Sequence, residues 1–212
     1  MDGLLLDTER IALDTFLDAC RRCHFEPDIK VYMKCIGTKN EKTKEILTEG
    51  HGLDFPYDEI KKVWSKSYKK ATTENPVPVK SGVKDILNFL QQLNIKIAIA
   101  TSTRYETAVN RLQNAEIYHF FEMIVGGDQV DKGKPDPEIY LTVSGLLKED
   151  PKECVVFEDS DNGVLSAHKA GMDVIQIPDL KEPAGEMLNL GHRILSSLGE
   201  ARLFLMNSSA FS

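Results

Sequence analysis

From Asp7 to about His24, apolar residues at Ile11, Leu13, Phe16, Leu17, Cys20 and Cys23 recur at helical spacing. That periodicity predicts an amphipathic helix, with Asp7 and Thr8 available to cap its N-terminus. Three more helical patterns follow, around 28 to 36, 40 to 49 and 57 to 72, broken by Gly37, by Gly50-His51-Gly52 and by Pro56. No strand pattern interrupts them. The prolines of Asn75-Pro76-Val77-Pro78-Val79 hold that run extended, so it reads as a hinge that closes an all-helical stretch. Ser81 then stands where it could cap a helix through Leu93.

Beyond the hinge, short apolar runs alternate with helical patterns. Strands are expected at Ile95 to Ala100, Met123 to Gly126, Cys154 to Phe157 and Asp173 to Ile177. Helices are expected at Tyr105 to Gln113, Pro137 to Leu147 and Asn162 to Ala170, and residues 192 to 195 could add an edge strand. This alternation predicts an α/β fold, a Rossmann-like parallel sheet covered by helices on both faces. Ligands of such sheets sit beyond the carboxyl ends of the strands. Thr101, Asp128 and the pair Glu158-Asp159 all fall just past those ends, so four distant segments should converge on one edge.

Composition narrows the function. With 212 residues the chain has room for one large core and a smaller inserted domain. No apolar run approaches a membrane span. A net charge of −7 argues against a sequence-independent grip on nucleic acid, which needs a basic stripe. An anionic ligand must therefore be met by local positive charge. No export signal is legible, and four cysteines, Cys20, Cys23, Cys35 and Cys154, are too few for a disulfide scaffold. A cytoplasmic protein with reduced thiols, a monomer or weak dimer, is expected.

Thr101 and Ser102 end an apolar strand ahead of a helix, where hydroxyls and backbone N–H groups can face an anion; they could equally cap that helix. Lys134 lies in Gly133-Lys134-Pro135-Asp136-Pro137, whose prolines stiffen the chain and whose glycine permits close approach. A solvated loop lysine is the bland alternative. Glu158 and Asp159 follow Val155-Val156-Phe157 directly, so two carboxylates repel each other at a strand end unless a cation intervenes. Hard oxygen ligands next to a phosphate suit Mg2+ better than zinc. The alternative is an acidic N-cap for the helix near Asn162.

Together Met-Asp-Gly-Leu-Leu-Leu-Asp-Thr-Glu, Ala-Thr-Ser, Gly-Lys-Pro-Asp-Pro and Phe-Glu-Asp-Ser-Asp-Asn-Gly resemble the haloacid dehalogenase-like hydrolases. Within them the chain is most similar to the helical-cap group that contains β-phosphoglucomutase, pseudouridine-5'-phosphatase and bacterial sugar-phosphate phosphatases. The resemblance implies a core formed by residues 1–9 and 79–212 and a helical cap over residues 10–78. It implies Asp2 as general acid/base, Thr101, Ser102 and Lys134 as phosphate ligands, and Asp2, Glu158 and Asp159 around Mg2+. A small phosphorylated metabolite, a sugar phosphate or nucleotide-related ester, is the implied substrate. Lys39 and Asn40, at a helix break in the cap, are candidates for contact with the rest of it.

The family's first motif is Asp-x-Asp, whose first Asp attacks phosphorus. Here Met1 holds the x position, so the nucleophile and the first core strand before it are absent from this chain. Loss of such a nucleophile costs on the order of a millionfold in rate, so the chain as written is expected to be inactive and to fold poorly. Met1 then reads as an internal methionine of a longer reading frame. The alternative activity is a phosphomutase, which needs a second phosphate grip in the cap; a non-catalytic phosphate-binding relic is a third reading. Cys20-Arg21-Arg22-Cys23-His24 spells a haem attachment motif, yet both cysteines lie on an apolar helix stripe. Trp64 and Tyr68, four apart, read as packing.

Overall fold

The computed structural model describes residues 1–38, 40–52 and 54–208. Four helices come first: α1 (Thr8–Arg22), α2 (Ile29–Met33), α3 (Asn40–His51) and α4 (Tyr57–Thr73). They share a core of their own. Phe16, fully buried, sits 4.7 Å from the ring of Tyr32 and 5.2 Å from that of Trp64, and Cys20, Leu47 and Ile60 fill the space around it. Cys20 is therefore core packing, and the four cysteines are free thiols. Asp7 stands at the N-cap of α1 without making a side-chain cap bond; its carboxylate takes Arg10 instead, and the Thr8 hydroxyl accepts the Gly3 N–H.

The remaining elements are α5 (Val83–Gln92), β1 (Ala98–Ala100), α6 (Tyr105–Asn114), β2 (Met123–Val125), α7 (Glu138–Leu147), β3 (Val155–Glu158), α8 (Asp161–Lys169), β4 (Asp173–Gln176), β5 (Arg193–Ile194) and α9 (Leu198–Met206). All strand pairs are parallel, as the alternation predicts. Val83, Ile86, Leu87 and Leu90 of α5 meet Leu198, Ala201 and Leu205 of α9 in the main apolar cluster, each large side chain contributing roughly 1.5–3 kcal/mol by burial. Ser81 does not cap α5; Gly82 does, at φ 81° and with no side-chain bond.

The sheet is split. β1 pairs only with β2, and β3, β4 and β5 form a second sheet, among the described residues. Between β1 and β3 lies a largely apolar cleft of about 480 Å3, lined in part by Leu4, Ile99, Val156 and Phe157. The cleft separates the strand that ends at Ala100 from the strand that contains Phe157. At one end of it the turn Met1 to Leu6 is fixed by bridges from Leu6 to Asp2 and, antiparallel, to Val79. The first residues are thereby tied to the segment Asn75 to Val79.

Candidate active site

A cleft of about 440 Å3 opens over the carboxyl ends of β1 and β3, and it is lined by Asp2, Thr101, Ser102, Lys134, Glu158 and Asp159 among others. All six core residues singled out from the sequence are thus together. Neither of the bland alternatives for the hydroxyls and carboxylates survives. The N-terminus of α6 is served by Asp128, whose Oδ1 accepts the Tyr105 N–H at 2.7 Å, so Thr101 is free to accept from Thr103 N–H inside its own loop. The N-cap of α8 is Ser160, which accepts from Gly163 N–H, so Glu158 and Asp159 are not capping residues.

Lys134 is not a solvated loop lysine. Its side chain is 8% exposed and its Nζ lies 2.5 Å from Glu158 Oε1, with further bonds to the Ala100 carbonyl and the Tyr140 hydroxyl. Gly133 faces open space, so close approach of the glycine plays no part. The loop is held instead from α8, where Ser166 donates to the Asp136 carbonyl and Lys169 to that of Pro135. Glu158 spends its second oxygen on Asp159 N–H, Ser160 N–H and the Ser160 hydroxyl. Burial works against its charge, yet the Lys134 ammonium, then the ammonium of the N-terminus, with the Tyr140 hydroxyl bond adding to them, hold its pKa down at about 2. Burial also pushes the Tyr140 hydroxyl well above its ordinary value, with Glu158 adding to the effect.

Asp159 is the opposite case. Burial, then the charge of Glu158, raise its carboxyl to about 7. Gly3 makes room for it: at φ 72°, a Cβ there would fall 2.3 Å from Asp159 Oδ2. A buried carboxylate against a side-chain-free turn is a cradle for a small hard cation, which Asp159 and the main-chain carbonyl of Asp2 would hold. Glu158 already has both oxygens engaged, so it stands behind that position and orients Lys134 and Ser160.

Asp2 is pinned from two sides. Thr103 Oγ1 donates to its Oδ2 at 2.7 Å, and Arg111 Nη1 donates to its Oδ1 at 2.7 Å. Lys80 at the hinge donates to the Gly3 carbonyl and pairs with Asp179. Glu9, in the first turn of α1, also faces the cleft; burial, then Asp179 and Asp2, raise it to about 7 while Lys80 opposes them. Sequence reasoning missed Thr103, Arg111, Tyr140, Glu9, Lys80 and Asp179. Arg111 had a signal, a charge amid the buried stripe Ala108, Leu112 and Ala115.

From the helices, Ile36, Gly37 and Thr38 reach the cleft, and the Gly37 carbonyl accepts from Asn162 at 3.3 Å. Asn40 does not line the cleft; its Oδ1 accepts from Lys61. Lys39 lies outside the described residues. Tyr68 is more than packing, since its hydroxyl receives Arg111 Nη2 at 3.4 Å.

A family model described as haloacid dehalogenase-like hydrolase matches residues 1–177. A Thermotoga maritima phosphorylated carbohydrates phosphatase is 34% identical over 179 residues, 82% of this chain and 81% of that one. An Arabidopsis thaliana (DL)-glycerol-3-phosphatase is 30% identical over 190 residues, 84% of this chain and 77% of the other. In fold, a Deinococcus radiodurans HAD family hydrolase crystallised with phosphate and sodium superimposes with a TM-score of 0.86 at 24% identity, covering 100% of this chain and 95% of its own. With its parallel sheets, its cap of helices and its motif residues at one strand edge, the chain belongs to the haloacid dehalogenase-like hydrolases.

Proposed function

We propose that this protein is a magnesium-dependent phosphatase of small phosphomonoesters, a sugar or polyol phosphate in the first instance, with residues 10–78 as cap and residues 1–9 and 79–212 as core. The observation that carries the reading is the meeting of Asp2, Thr101, Ser102, Lys134 and Asp159 in one cleft. Among the described residues, eight carboxylates and two lysines, Lys134 and Lys181, line that cleft. Such a surplus of negative charge repels a phosphate dianion unless a cation enters with it. When bound, Mg2+ supplies Lewis-acid polarisation of a phosphoryl oxygen. Of this chain's own groups, Thr101, Ser102 and Lys134 would hold oxygens of the ester, and Asp2 would stand as the general acid/base beside the leaving oxygen.

The names of the relatives, a carbohydrate phosphatase and a glycerol phosphatase, support a compact polyhydroxyl substrate. Free thiols throughout suit a reducing, cytoplasmic setting.

By this reading the attack on phosphorus needs a carboxylate two positions before Asp2, and a polypeptide of residues 1–212 tested without one holds the ester without turning it over. The test compares two proteins in magnesium with glycerol phosphate: residues 1–212, and the same residues preceded by an apolar strand ending in Asp. The second should release phosphate at least ~10⁴-fold faster. Robust hydrolysis by residues 1–212, or none by either protein, contradicts the proposal.

A further inference from the structure

Arg111 joins the two halves of the molecule at a point the reaction uses. It lies on the inner face of α6 with 8% of its side chain exposed, and its fork reaches in two directions. Nη1 donates to Asp2 Oδ1 at 2.7 Å. Nη2 donates to Thr72 Oγ1 at 3.3 Å and to the Tyr68 hydroxyl at 3.4 Å, both on cap helix α4, and the guanidinium carbon stands 5.6 Å from the centre of the Tyr68 ring. Nε is buried with no partner among the described residues. The polar bonds that fix the group are therefore all at its tip, one set to the cap and one to Asp2.

Asp2 has little freedom of its own, since its other oxygen is taken by Thr103. A rigid planar fork with two occupied edges transmits displacement, because moving one partner either breaks a charge-assisted bond or turns the whole plane. If α4 shifts relative to α6, the guanidinium must release Tyr68 and Thr72 or carry Asp2 Oδ1 with it. We propose that Arg111 is a positioning residue that makes the Asp2 carboxylate and helix α4 one mechanical unit, so that the seat of the cap sets where Asp2 points. This rests on the phosphatase reading only for the importance of Asp2; the coupling is a property of the fold.

Two measurements on residues 1–212 decide it. The first is hydrogen exchange over residues 66–73 of α4. Asp2→Asn and Arg111→Met should each speed exchange there about tenfold, and the two together should do no more than either alone. If Arg111→Met loosens α4 while Asp2→Asn leaves it untouched, Arg111 only joins two helices and the proposal is overturned. The second is magnesium-dependent binding of glycerol phosphate by calorimetry. Tyr68→Phe with Thr72→Val, which touch nothing at the phosphate end, should weaken binding about tenfold in the native background and not at all beside Arg111→Met. Equal losses in both backgrounds, or no loss in either, overturn it. Arg111→Lys, which keeps the charge without the fork, should restore the melting temperature but not the coupling. Should the native protein bind no ester, the phosphatase reading fails, while the exchange measurement still decides the coupling.

Discussion

Lys134 and Glu158 illustrate how one buried contact can set the character of a site. Lys134 neutralises Glu158, which leaves Asp159 as the carboxylate short of a counter-charge. Replacing Lys134 by Met should strand Glu158 as an uncompensated buried charge and cost about 3–5 kcal/mol at pH 7 in urea unfolding; a cost below about 1 kcal/mol contradicts the pairing. The linkage has a definite sign. The Glu158 pKa is depressed from 4.5 to about 2, so its stabilisation is present above pH 4.5 and is lost as pH falls toward 2. Glu9 runs the other way: raised from 4.5 to about 7, it penalises the folded state at alkaline pH, and the penalty fades as pH falls to 4.5. Glu9→Gln should therefore raise the melting temperature at pH 8 and leave it nearly unchanged at pH 5. The sequence made Asp2, Thr101, Lys134 and Asp159 legible because each sits in a short motif with its own chemistry. Arg111, Tyr140 and Lys80 were not, because their work depends on partners 18 to 109 residues away, as in the bonds from Tyr140 to Glu158 and from Arg111 to Asp2.

Among the elements, α8 carries the tightest constraint. Its first turn presses on Glu158 so closely that a Cβ at Gly163 would fall 2.0 Å from the carboxyl carbon. Gly163→Ala must push Glu158 off Lys134, or lift the helix from β3. Overpacking of this kind costs typically 1–3 kcal/mol, and here it should also abolish magnesium-dependent ester binding; an Ala variant of native stability with native binding contradicts the geometry. Helix and strand order were readable from periodicity, since the change from helical stretches to alternation is coarse and survives boundary errors. The caps were not. Ser81 and Thr101 have the right chemistry for capping, yet Gly82 stands at the N-cap of α5 and distant Asp128 accepts the Tyr105 N–H at the start of α6, and a partner supplied from a distant loop leaves no local trace.

At the level of the complete chain, the governing feature is the divided sheet. β1 and β3 face each other across the apolar cleft with no ladder between them, among the described residues. Amides of β3 that point toward the cleft should exchange far faster than those bonded to β4; uniform protection along β3 contradicts the division. The site nevertheless stays assembled, because Lys80, Arg111 and the Lys134 loop tie the first turn, the hinge and α8 together without help from that ladder. The proposal that this cleft receives an ester together with a cation is tested by titration calorimetry of residues 1–212 with glycerol phosphate. Binding should appear only with magnesium present and vanish in Asp159→Asn. Binding that is indifferent to magnesium, or that survives the loss of the Asp159 charge, contradicts the account.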